Sequence, residues 1–215
     1  MTDVRLLRRC EQIATSTWSD ALDEVAIEGV VTGISQRSGR GRFAAYAVTA
    51  REVAGPLRTF PRGEFAVGSL IASVGSGQVL VVDAGGAQIS TFGGLAALAA
   101  SLRGVAAVLI DGGCRDLEEI RAADFWLASR FVTPTTGKTR IKVVAIGDPV
   151  HLGGVRVQTG DLVVGDETGI VVVPRPKIDD VLAKAEAIAE KDRVVEVALR
   201  AGKSFSEAAA AADYI

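Results

Sequence analysis

Two glycine-containing turns, each after an apolar run, carry the residue types that bind a small anion. Residues 79–83 form the first run and lead into the turn Ala84-Gly85-Gly86, after which Phe92-Gly93-Gly94-Leu95 begins an Ala- and Leu-rich segment. A helix starting there would offer unpaired backbone N–H groups to an anion. The second run ends in Asp111-Gly112-Gly113-Cys114-Arg115-Asp116, which places a cation beside a carboxylate. Such a site suits a small carboxylate substrate with a divalent metal better than a nucleotide or a polymer.

The composition argues against several classes of function. The chain has 215 residues, of which 48% are hydrophobic, enough for one well-packed domain. Its formal net charge of −2 comes from 24 basic and 26 acidic residues without a long run of either sign, so we expect no nucleic-acid ligand. A single histidine, His151, argues against a zinc site, so a bound metal would be a hard, oxygen-binding ion.

The cysteines and the amino terminus favour a soluble, cytoplasmic protein. Cys10 and Cys114 are too few for a disulfide framework, which agrees with a reducing compartment. The first ten residues lack the apolar core of a signal peptide, and charges interrupt every apolar stretch before it could span a bilayer. We therefore expect no membrane association.

Hydrophobic periodicity predicts an α/β fold with helices at both ends. The order of the elements in the middle is that of a βαβ unit. Helices are predicted at residues 3–14, 17–26 (capped by Thr17 or Ser19), 92–103, 117–123, from Asp179 to about Arg200, and after Ser204. Short strands are predicted between 29 and about 71 (clearest at 43–50) and at 79–83, 105–110, 141–146, 155–157, 161–165 and 169–174. One domain is predicted over 1–215, with a helical amino terminus (1–28), an α/β core (29–174) and carboxyl-terminal helices (175–215).

Three common chemistries fit these residues poorly. Gly75-Ser76-Gly77 precedes a strand instead of following one, which argues against dinucleotide binding. Asp83-Ala84-Gly85-Gly86-Ala87 begins like the glycine-rich motif that binds S-adenosylmethionine, but the pattern of glycines stops after Gly86. The lysines lie in polar or alternating contexts, whereas a Schiff-base lysine needs an apolar pocket.

The order and spacing of several segments identify a family. These segments are residues 17–22, 81–83, 93–95, 104–108, 111–116 and 160–161. The chain resembles the regulator of ribonuclease activity A family, and is more similar to its enzyme branch, the 4-hydroxy-4-methyl-2-oxoglutarate aldolases. The hallmark of that branch is a glycine turn followed, some twenty residues on, by Arg-Asp and an acidic residue. Arg115, Asp116 and Glu119 match it, and the resemblance extends over roughly residues 15–202.

The resemblance implies a fold, an assembly and a set of site residues. The fold is a swivelling β/β/α domain, assembled as a homotrimer or a dimer of trimers with active sites between subunits. Substrate-binding backbone amides match Gly93, Gly94, Leu95 and Ala96. The substrate-binding arginine matches Arg115, and the ligand of Mg²⁺ or Mn²⁺ matches Asp116. A carboxylate from the neighbouring subunit's final helix matches Asp192, counted back from Gly202.

Each of these residues also has a purely structural interpretation. Asp116-Leu117-Glu118-Glu119 has the pattern of a capping box for a short helix. Arg115 could pair with Asp111 or Glu119, Gly93 and Gly94 could let the helix pack closely on the sheet, and Asp192 could lie on a solvated helix face. Cys114 is expected as a small buried residue and His151 as a turn residue. At the family's spacing, the set as a whole favours the functional interpretation.

The first hypothesis is a metal-dependent lyase that cleaves 4-hydroxy-4-methyl-2-oxoglutarate, or decarboxylates oxaloacetate, through a pyruvate enolate. Two alternatives remain: a non-catalytic protein-binding regulator of the ribonuclease-inhibitor type, and a family member without turnover. The second alternative depends on Gly94, which stands where aldolases of this family commonly have Glu or Asp. Thr159, Arg130 and the segment 125–127 also depart from the family's pattern.

Overall fold

A curled sheet of nine strands forms the body of the molecule in a computed structural model that describes residues 4–212. Its main path runs β1-β6-β5-β3-β2-β10-β11, with β4 paired to β5 and β7 paired to β2. The strands are β1 (Ser35–Ser38), β2 (Phe43–Ala54), β3 (Gln78–Asp83), β4 (Ser90–Phe92), β5 (Ala107–Cys114), β6 (Leu127–Val132), β7 (Ile141–Ile146), β10 (Leu162–Gly165) and β11 (Ile170–Val173). The hairpin of β8 (Val150–Leu152) and β9 (Val155–Val157) forms a separate two-stranded sheet.

The centre of the sheet is parallel and its flanks are antiparallel. Strands β2, β3, β5 and β6 run parallel to one another, whereas β10, β11, β7 and β1 pair antiparallel. The helices are α1 (Val4–Glu11), α2 (Thr15–Asp23), α3 (Val67–Ser73), α4 (Gly94–Leu102), α5 (Leu117–Ala122), α6 (Ile178–Arg200) and α7 (Phe205–Ala211). Short 3₁₀ helices occur at Arg62–Phe65 and Arg175–Lys177. This mixed architecture confirms the predicted α/β class.

Alternating side chains of the buried strands serve opposite faces of the sheet. Val79 and Val81 of β3 face the concave side, where β8 and β9 complete a core. Leu80 and Val82 face the other side, which α3, α4 and α5 cover. A third cluster lies where α1, α2 and α6 pack on β10 and β11. Because both faces of β3 and β5 are covered, their sequences are continuously apolar instead of alternating.

Several predicted boundaries were wrong for identifiable reasons. Residues 67 to about 71, predicted to belong to a region of short strands, lie in the helix α3, whose buried Leu70 and Ile71 contact the sheet. Strand β5 continues through Asp111 and ends at Cys114, so the sharp turn lies at Arg115 and Asp116. The structure also contains β6 and β4, which the sequence analysis did not predict.

The caps of two helices also differ from the predictions. Helix α2 begins at Thr15 after Ala14, so Thr17 and Ser19 lie inside the helix and cap nothing. The residue that caps α6 is Lys177, and Asp179 lies in the first turn. Ser204 does cap α7, in a capping box with Glu207.

The end of helix α6 agrees with its prediction. Gly202 follows α6 with a φ of 88°, a left-handed conformation that ends a helix at low cost for glycine. No helix within residues 4–212 combines the length and the apolar character that crossing a bilayer requires.

Candidate active site

A cleft of about 240 Å³ lies where the start of α4 meets the turn after β5. Its lining includes most of the residues proposed from the sequence, namely Gly93, Leu95, Ala96, Arg115 and Asp116. The rest of the lining comes from residues that the sequence analysis did not select, namely Phe65, Val67, Ser90, Thr91, Thr136 and Lys138. The structure therefore brings the two glycine-containing segments to one place.

The first turn of α4 presents backbone donors to this cleft. Gly93 is the N-cap residue, and the N–H of Ala97 is the first to bond back to it, at 3.0 Å from the Gly93 carbonyl oxygen. The N–H groups of Leu95 and Ala96 have no acceptor within the part of the chain that the structure describes. Free N–H groups at a helix start form a ready anion-binding site.

Asp116 directs its carboxylate away from its own helix. It precedes α5 with a φ of 57° and a ψ of 48°, in the left-handed region, and its side chain makes no capping hydrogen bond. Instead, Asp116 Oδ2 accepts a hydrogen bond from the N–H of Gly94 at 3.2 Å. The capping-box interpretation is therefore wrong. A left-handed aspartate carries a local energetic cost, and such strain is concentrated at functional sites.

Arg115 forms its ion pair with the adjacent aspartate. Its Nε lies 3.4 Å from Asp116 Oδ2, and both side chains remain more than a third exposed. The alternative partner Asp111 is occupied elsewhere, and Glu119 forms no ion pair with Arg115 in the described part of the chain. At this exposure the pair contributes little to stability, because solvent screens it. The guanidinium of Arg115 remains accessible to a bound anion.

Close approach explains why Gly93 and Gly94 carry no side chains. A Cβ atom at Gly93 would collide with Asp116 Oδ2 and would lie 3.1 Å from Arg115 Nε. A Cβ at Gly94 would lie 2.6 Å from the Cβ of Glu119, which is rooted in the backbone of α5. The close contacts of these glycines are therefore with the turn after β5 and with α5, and not with the sheet as the packing interpretation expected. This packing holds the donors of α4 against the charged pair.

A buried carboxyl group lies behind the cleft. Glu52 of β2 is 3% exposed, and its Oε2 accepts a hydrogen bond of 2.6 Å from the hydroxyl of Thr91, which lines the cleft. Its Oε1 has no hydrogen-bond partner among residues 4–212. Burial raises the pKa of Glu52 to about 7, and the hydrogen bond from Thr91 limits that rise.

The position of Glu52 in its strand contained a signal that was overlooked. Val48 and Ala50 face the helix-covered side of the sheet, and Glu52 follows them at the strand period of two. The clearest predicted strand covers residues 43–50, whereas β2 continues to Ala54. A carboxylate in phase with inward-facing apolar residues is a sign of function because an unpaired buried charge is costly.

A second group of polar contacts is structural. Arg130 binds Asp111 through two hydrogen bonds, Nε to Oδ1 at 2.5 Å and Nη2 to Oδ2 at 3.0 Å. Asp111 Oδ2 also accepts the N–H of Gly153 at 2.9 Å, which ties the β8–β9 hairpin to the end of β5. Burial alone would raise the pKa of Asp111, but Arg130 and the Gly153 N–H together lower it. This network gives Arg130 a structural role.

Other predicted residues lie away from the cleft. Asp192 lies on α6, which packs on α2, and does not line this cleft. Cys114 is fully buried, as expected. His151 lies in β8 instead of a turn, and its backbone N–H donates to Asp83 Oδ2 at 3.1 Å.

A larger cavity, of about 640 Å³, lies far from these residues beside α1. Its buried carboxylate, Asp166, already accepts hydrogen bonds from the N–H and hydroxyl of Thr15, at 3.0 and 2.6 Å, and from the N–H of Thr168 and Gly169. Burial would raise the pKa of Asp166, but these bonds lower it. Asp166 therefore supplies the side-chain cap that Ala14, the N-cap residue of α2, cannot. The buried carboxylate of this cavity is thus occupied by structural hydrogen bonds.

Comparison with known proteins gives matches in both sequence and structure. Residues 15–172 match the sequence profile of the family described as RraA-like: Aldolase/RraA. An uncharacterized protein of Methanocaldococcus jannaschii is 34% identical over 127 residues, which are 59% of this chain and 61% of that protein's length, less than two thirds of it. The 4-hydroxy-4-methyl-2-oxoglutarate aldolase of Thermus thermophilus is 34% identical over 143 residues, 64% of this chain and 79% of its own. The crystal structure of an uncharacterized protein from Pseudomonas syringae pv. tomato matches with a TM-score of 0.85 and 28% identity, over 95% of this chain and 96% of that chain.

Proposed function

Because the chain belongs to the RraA-like family, we propose that it is a divalent-metal-dependent lyase that cleaves a carbon–carbon bond in a small 2-oxo acid. The substrate classes are 4-hydroxy-4-methyl-2-oxoglutarate, by aldol cleavage, and oxaloacetate, by decarboxylation. One observation carries the proposal: the free N–H groups of α4, the guanidinium of Arg115 and the carboxylate of Asp116 face one cleft.

The cleft offers separate partners for the carboxylate and for the 2-oxo group of a 2-oxo acid. The N–H groups of Leu95 and Ala96, at the positive end of α4, suit the substrate carboxylate. Arg115 suits the 2-oxo oxygen or a carboxylate oxygen, because its planar fork can donate two parallel hydrogen bonds. Lys138 adds a further cation at the cleft and forms no ion pair within the described residues. The substrate is a dianion, so these charges favour its binding.

The donor set at Asp116 fits a hard divalent cation. Asp116 is exposed at the cleft, and one of its oxygens, Oδ1, takes part in no hydrogen bond within the described part of the chain. Residues 4–212 contain no group of three His, Cys, Asp or Glu side chains that could hold a metal by themselves. Mg²⁺ commonly binds through one or two carboxylates and completes its shell with water and substrate oxygens. Asp116 would hold the ion, which would supply Lewis-acid stabilisation of negative charge on the 2-oxo oxygen.

The residues of the chain stabilise the charge that develops during cleavage. As the C3–C4 bond breaks, its electron pair moves towards the 2-oxo group and gives an enolate of pyruvate. Arg115 stabilises the enolate oxygen, and the first turn of α4 keeps the carboxylate fixed so that the breaking bond stays aligned. Each charge-assisted contact contributes about 1.5–3 kcal/mol. In aldol cleavage, proton transfer from the 4-hydroxyl to C3 completes the reaction without net gain or loss of protons, whereas the decarboxylation of oxaloacetate releases CO₂ and takes the proton for C3 from the solvent.

The experiment is a pyruvate-release assay of the purified protein with both substrates. We expect turnover with Mg²⁺ or Mn²⁺ and its loss in EDTA. Arg115→Ala and Asp116→Ala should each lower kcat/KM by roughly 10- to 150-fold, which is the factor that corresponds to the free energy of one charge-assisted contact. Arg103→Ala, at the opposite end of α4, is the matched control and should keep the parent activity. Equal rates in EDTA would refute the metal dependence.

Gly94 favours a second candidate, a family member that binds the ligand without turnover. The carboxylate that aldolases of this family commonly place there is missing, and a side chain at Gly94 would collide with Glu119. Calorimetric binding of pyruvate or oxalate, without release of product from any 2-oxo acid, would support this candidate. Neither binding nor turnover, with specific capture of a protein partner, would support a regulator of the ribonuclease-inhibitor type.

We also propose that the protein assembles with copies of itself, as a trimer or as two stacked trimers. Helix α4 exposes three leucines at helical spacing: Leu95 is 86%, Leu98 46% and Leu102 80% exposed. An apolar stripe of this kind is typical of a protein–protein contact. Since Leu95 also lines the cleft, a neighbouring subunit on this stripe would lie beside the site. Asp192 of such a neighbour is then the residue proposed to reach it.

A further inference from the structure

Glu52 is a buried carboxyl group that the mechanism above does not use. Its side chain is almost entirely enclosed, and its Oε1 has no hydrogen-bond partner among the described residues. Leaving a buried carboxyl oxygen without a partner is costly, so apolar residues would serve stability better at this position. A purely structural role therefore does not explain why a glutamate lies here.

Thr91 connects this carboxyl group to the cleft. The two oxygens, Thr91 Oγ1 and Glu52 Oε2, lie 2.6 Å apart, a short distance typical of a strong O–H···O hydrogen bond. Thr91 lies in β4, two residues before the N-cap of α4, and lines the cleft together with Arg115 and Asp116. A hydroxyl both donates and accepts, so it can pass a proton from one side to the other.

No charged side chain within the described residues forms an ion pair with the carboxyl group of Glu52. On the elements packed against the end of β2, Lys142 of β7 is paired with Glu64 of the 3₁₀ helix at 2.8 Å. Arg115, which also lines the cleft, pairs with Asp116. Lys138 is exposed and forms no ion pair with Glu52. The pKa of Glu52 is raised to about 7 by burial alone, against the Thr91 hydrogen bond, so both protonation states are accessible near neutral pH.

We propose that Glu52 is a positioning residue that holds the proton of the reaction and exchanges it with the substrate through the hydroxyl of Thr91. This inference rests on the proposed function. In aldol cleavage, the 4-hydroxyl gives its proton to Thr91 Oγ1 while Thr91 gives its own to Glu52 Oε2. The C3–C4 bond then breaks, leaving a carbonyl at C4 and an enolate at C3. The reverse transfer, from Glu52 through Thr91, puts the proton on C3 and yields pyruvate.

This assignment supplies a group that the start of α4 otherwise lacks. With Gly94 in place of an acidic residue, that position has no carboxylate to receive the 4-hydroxyl proton. An ideal general base has a pKa near the working pH, a condition that Glu52 meets and that an ordinary exposed carboxylate does not.

The test separates proton transfer from carbon–carbon cleavage. In D₂O, an enzyme that forms the enolate of pyruvate exchanges the methyl hydrogens of pyruvate for deuterium, which proton NMR measures without a cleavage step. We expect Glu52→Gln to slow both this exchange and cleavage by at least about 100-fold, mainly in kcat, because the amide cannot accept the proton. Thr91→Val should have the same effect, and Thr91→Ser should retain most of the activity. Glu64→Gln is the matched control.

The pH profile gives a second readout that a structural defect would not produce. Glu52 must be ionised to accept a proton, so parent cleavage should rise as the pH rises through about 7, and this limb should be absent in Glu52→Gln. Circular dichroism would establish that the variants fold. Parent-like exchange and cleavage in Glu52→Gln would overturn this inference alone. A parent protein that neither cleaves nor exchanges any 2-oxo acid would overturn the proposed function, and this inference with it.

Discussion

Asp116 accepts a hydrogen bond from the backbone N–H of Gly94, with 3.2 Å between Asp116 Oδ2 and Gly94 N. This contact fixes the start of α4 to the turn that precedes α5. It places the carboxylate beside the free N–H groups of the helix, and it requires glycine at the helix start. The charged pair and the anion-binding turn are therefore one packed unit, and a change in one affects the other.

The first prediction concerns this packing. Gly94→Ala should lower the free energy of unfolding by about 1–3 kcal/mol, because its Cβ would lie 2.6 Å from the Cβ of Glu119. A second substitution at Glu119 tests the cause. Glu119→Gly removes the opposing Cβ and should restore part of the loss, whereas Glu119→Ala keeps that atom and should not. Urea denaturation of the single and double variants measures both effects. If Glu119→Ala and Glu119→Gly restored stability equally, the steric explanation would be wrong.

The second prediction separates the stability of the turn from its chemistry. Asp116 has a left-handed φ of 57°, which glycine adopts readily and alanine does not. Asp116→Gly should therefore be as stable as the parent or slightly more stable, and Asp116→Ala should be about 1 kcal/mol less stable than Asp116→Gly.

Activity should follow a different order from stability. Both Asp116 variants should lose turnover, because neither retains the carboxylate. Thermal unfolding and the pyruvate-release assay on the same preparations provide the comparison. Full activity in Asp116→Gly would show that the carboxylate has no catalytic role.

The positions that the sequence predicted well depend on local rules. The glycines at 93 and 94 and the apolar periodicity after them predict the start of α4. The two turns were also expected to meet, since the carboxyl ends of neighbouring parallel strands lie at one edge of a sheet. The patterns therefore suggested that the two turns share a site, and the resemblance to the family supplied the roles expected of residues 93–96 and 115–116.

The features that the sequence did not predict depend on distant residues. The direction of the Asp116 carboxylate follows from a left-handed backbone that its neighbours impose, whereas its local sequence favours a capping box. Asp166 caps α2 from 151 residues away, and Arg130 reaches Asp111 from the adjacent strand. The burial of Glu52 requires β4, which was not predicted, to pass beside it. No local pattern encodes contacts of this kind.

The third prediction concerns the dependence of stability on pH. The pKa of Glu52 is raised to about 7 in the folded protein, from 4.5, so the folded state binds more protons than the unfolded state between these values. The stability that comes from this group is therefore fully present below about pH 4.5 and is lost as the pH rises through 7. Relative to Glu52→Gln, the parent should lose about 3 kcal/mol over this interval.

Denaturant titrations at several pH values between about 4.5 and 8 would measure this difference. Glu64→Gln, whose carboxylate is partly exposed and paired with Lys142, is the control and should follow the parent curve. Parallel curves for the parent and Glu52→Gln would mean that Glu52 has an ordinary pKa in the folded protein. That result would also remove one support for its proposed role.

The fourth prediction concerns assembly through the apolar stripe of α4. Leu98 and Leu102 are exposed in the single chain, and burying two leucines in a subunit contact would contribute several kcal/mol per interface. We expect the parent to have a solution mass that is a multiple of 22.3 kDa, three or six times that of the monomer. Leu98→Asp with Leu102→Asp should reduce the mass to that of the monomer, because two carboxylates cannot be buried in an apolar contact.

Light scattering coupled to size exclusion would measure these masses. Val4→Asp, which introduces the same charge at an exposed apolar residue of α1, is the control and should leave the assembly intact. Activity provides a further distinction. If the neighbouring subunit contributes to the site, the monomeric variant should lose turnover although it leaves Arg115, Asp116 and Leu95 unchanged. A monomeric parent, or an unchanged mass in the double variant, would show that α4 does not form the subunit contact.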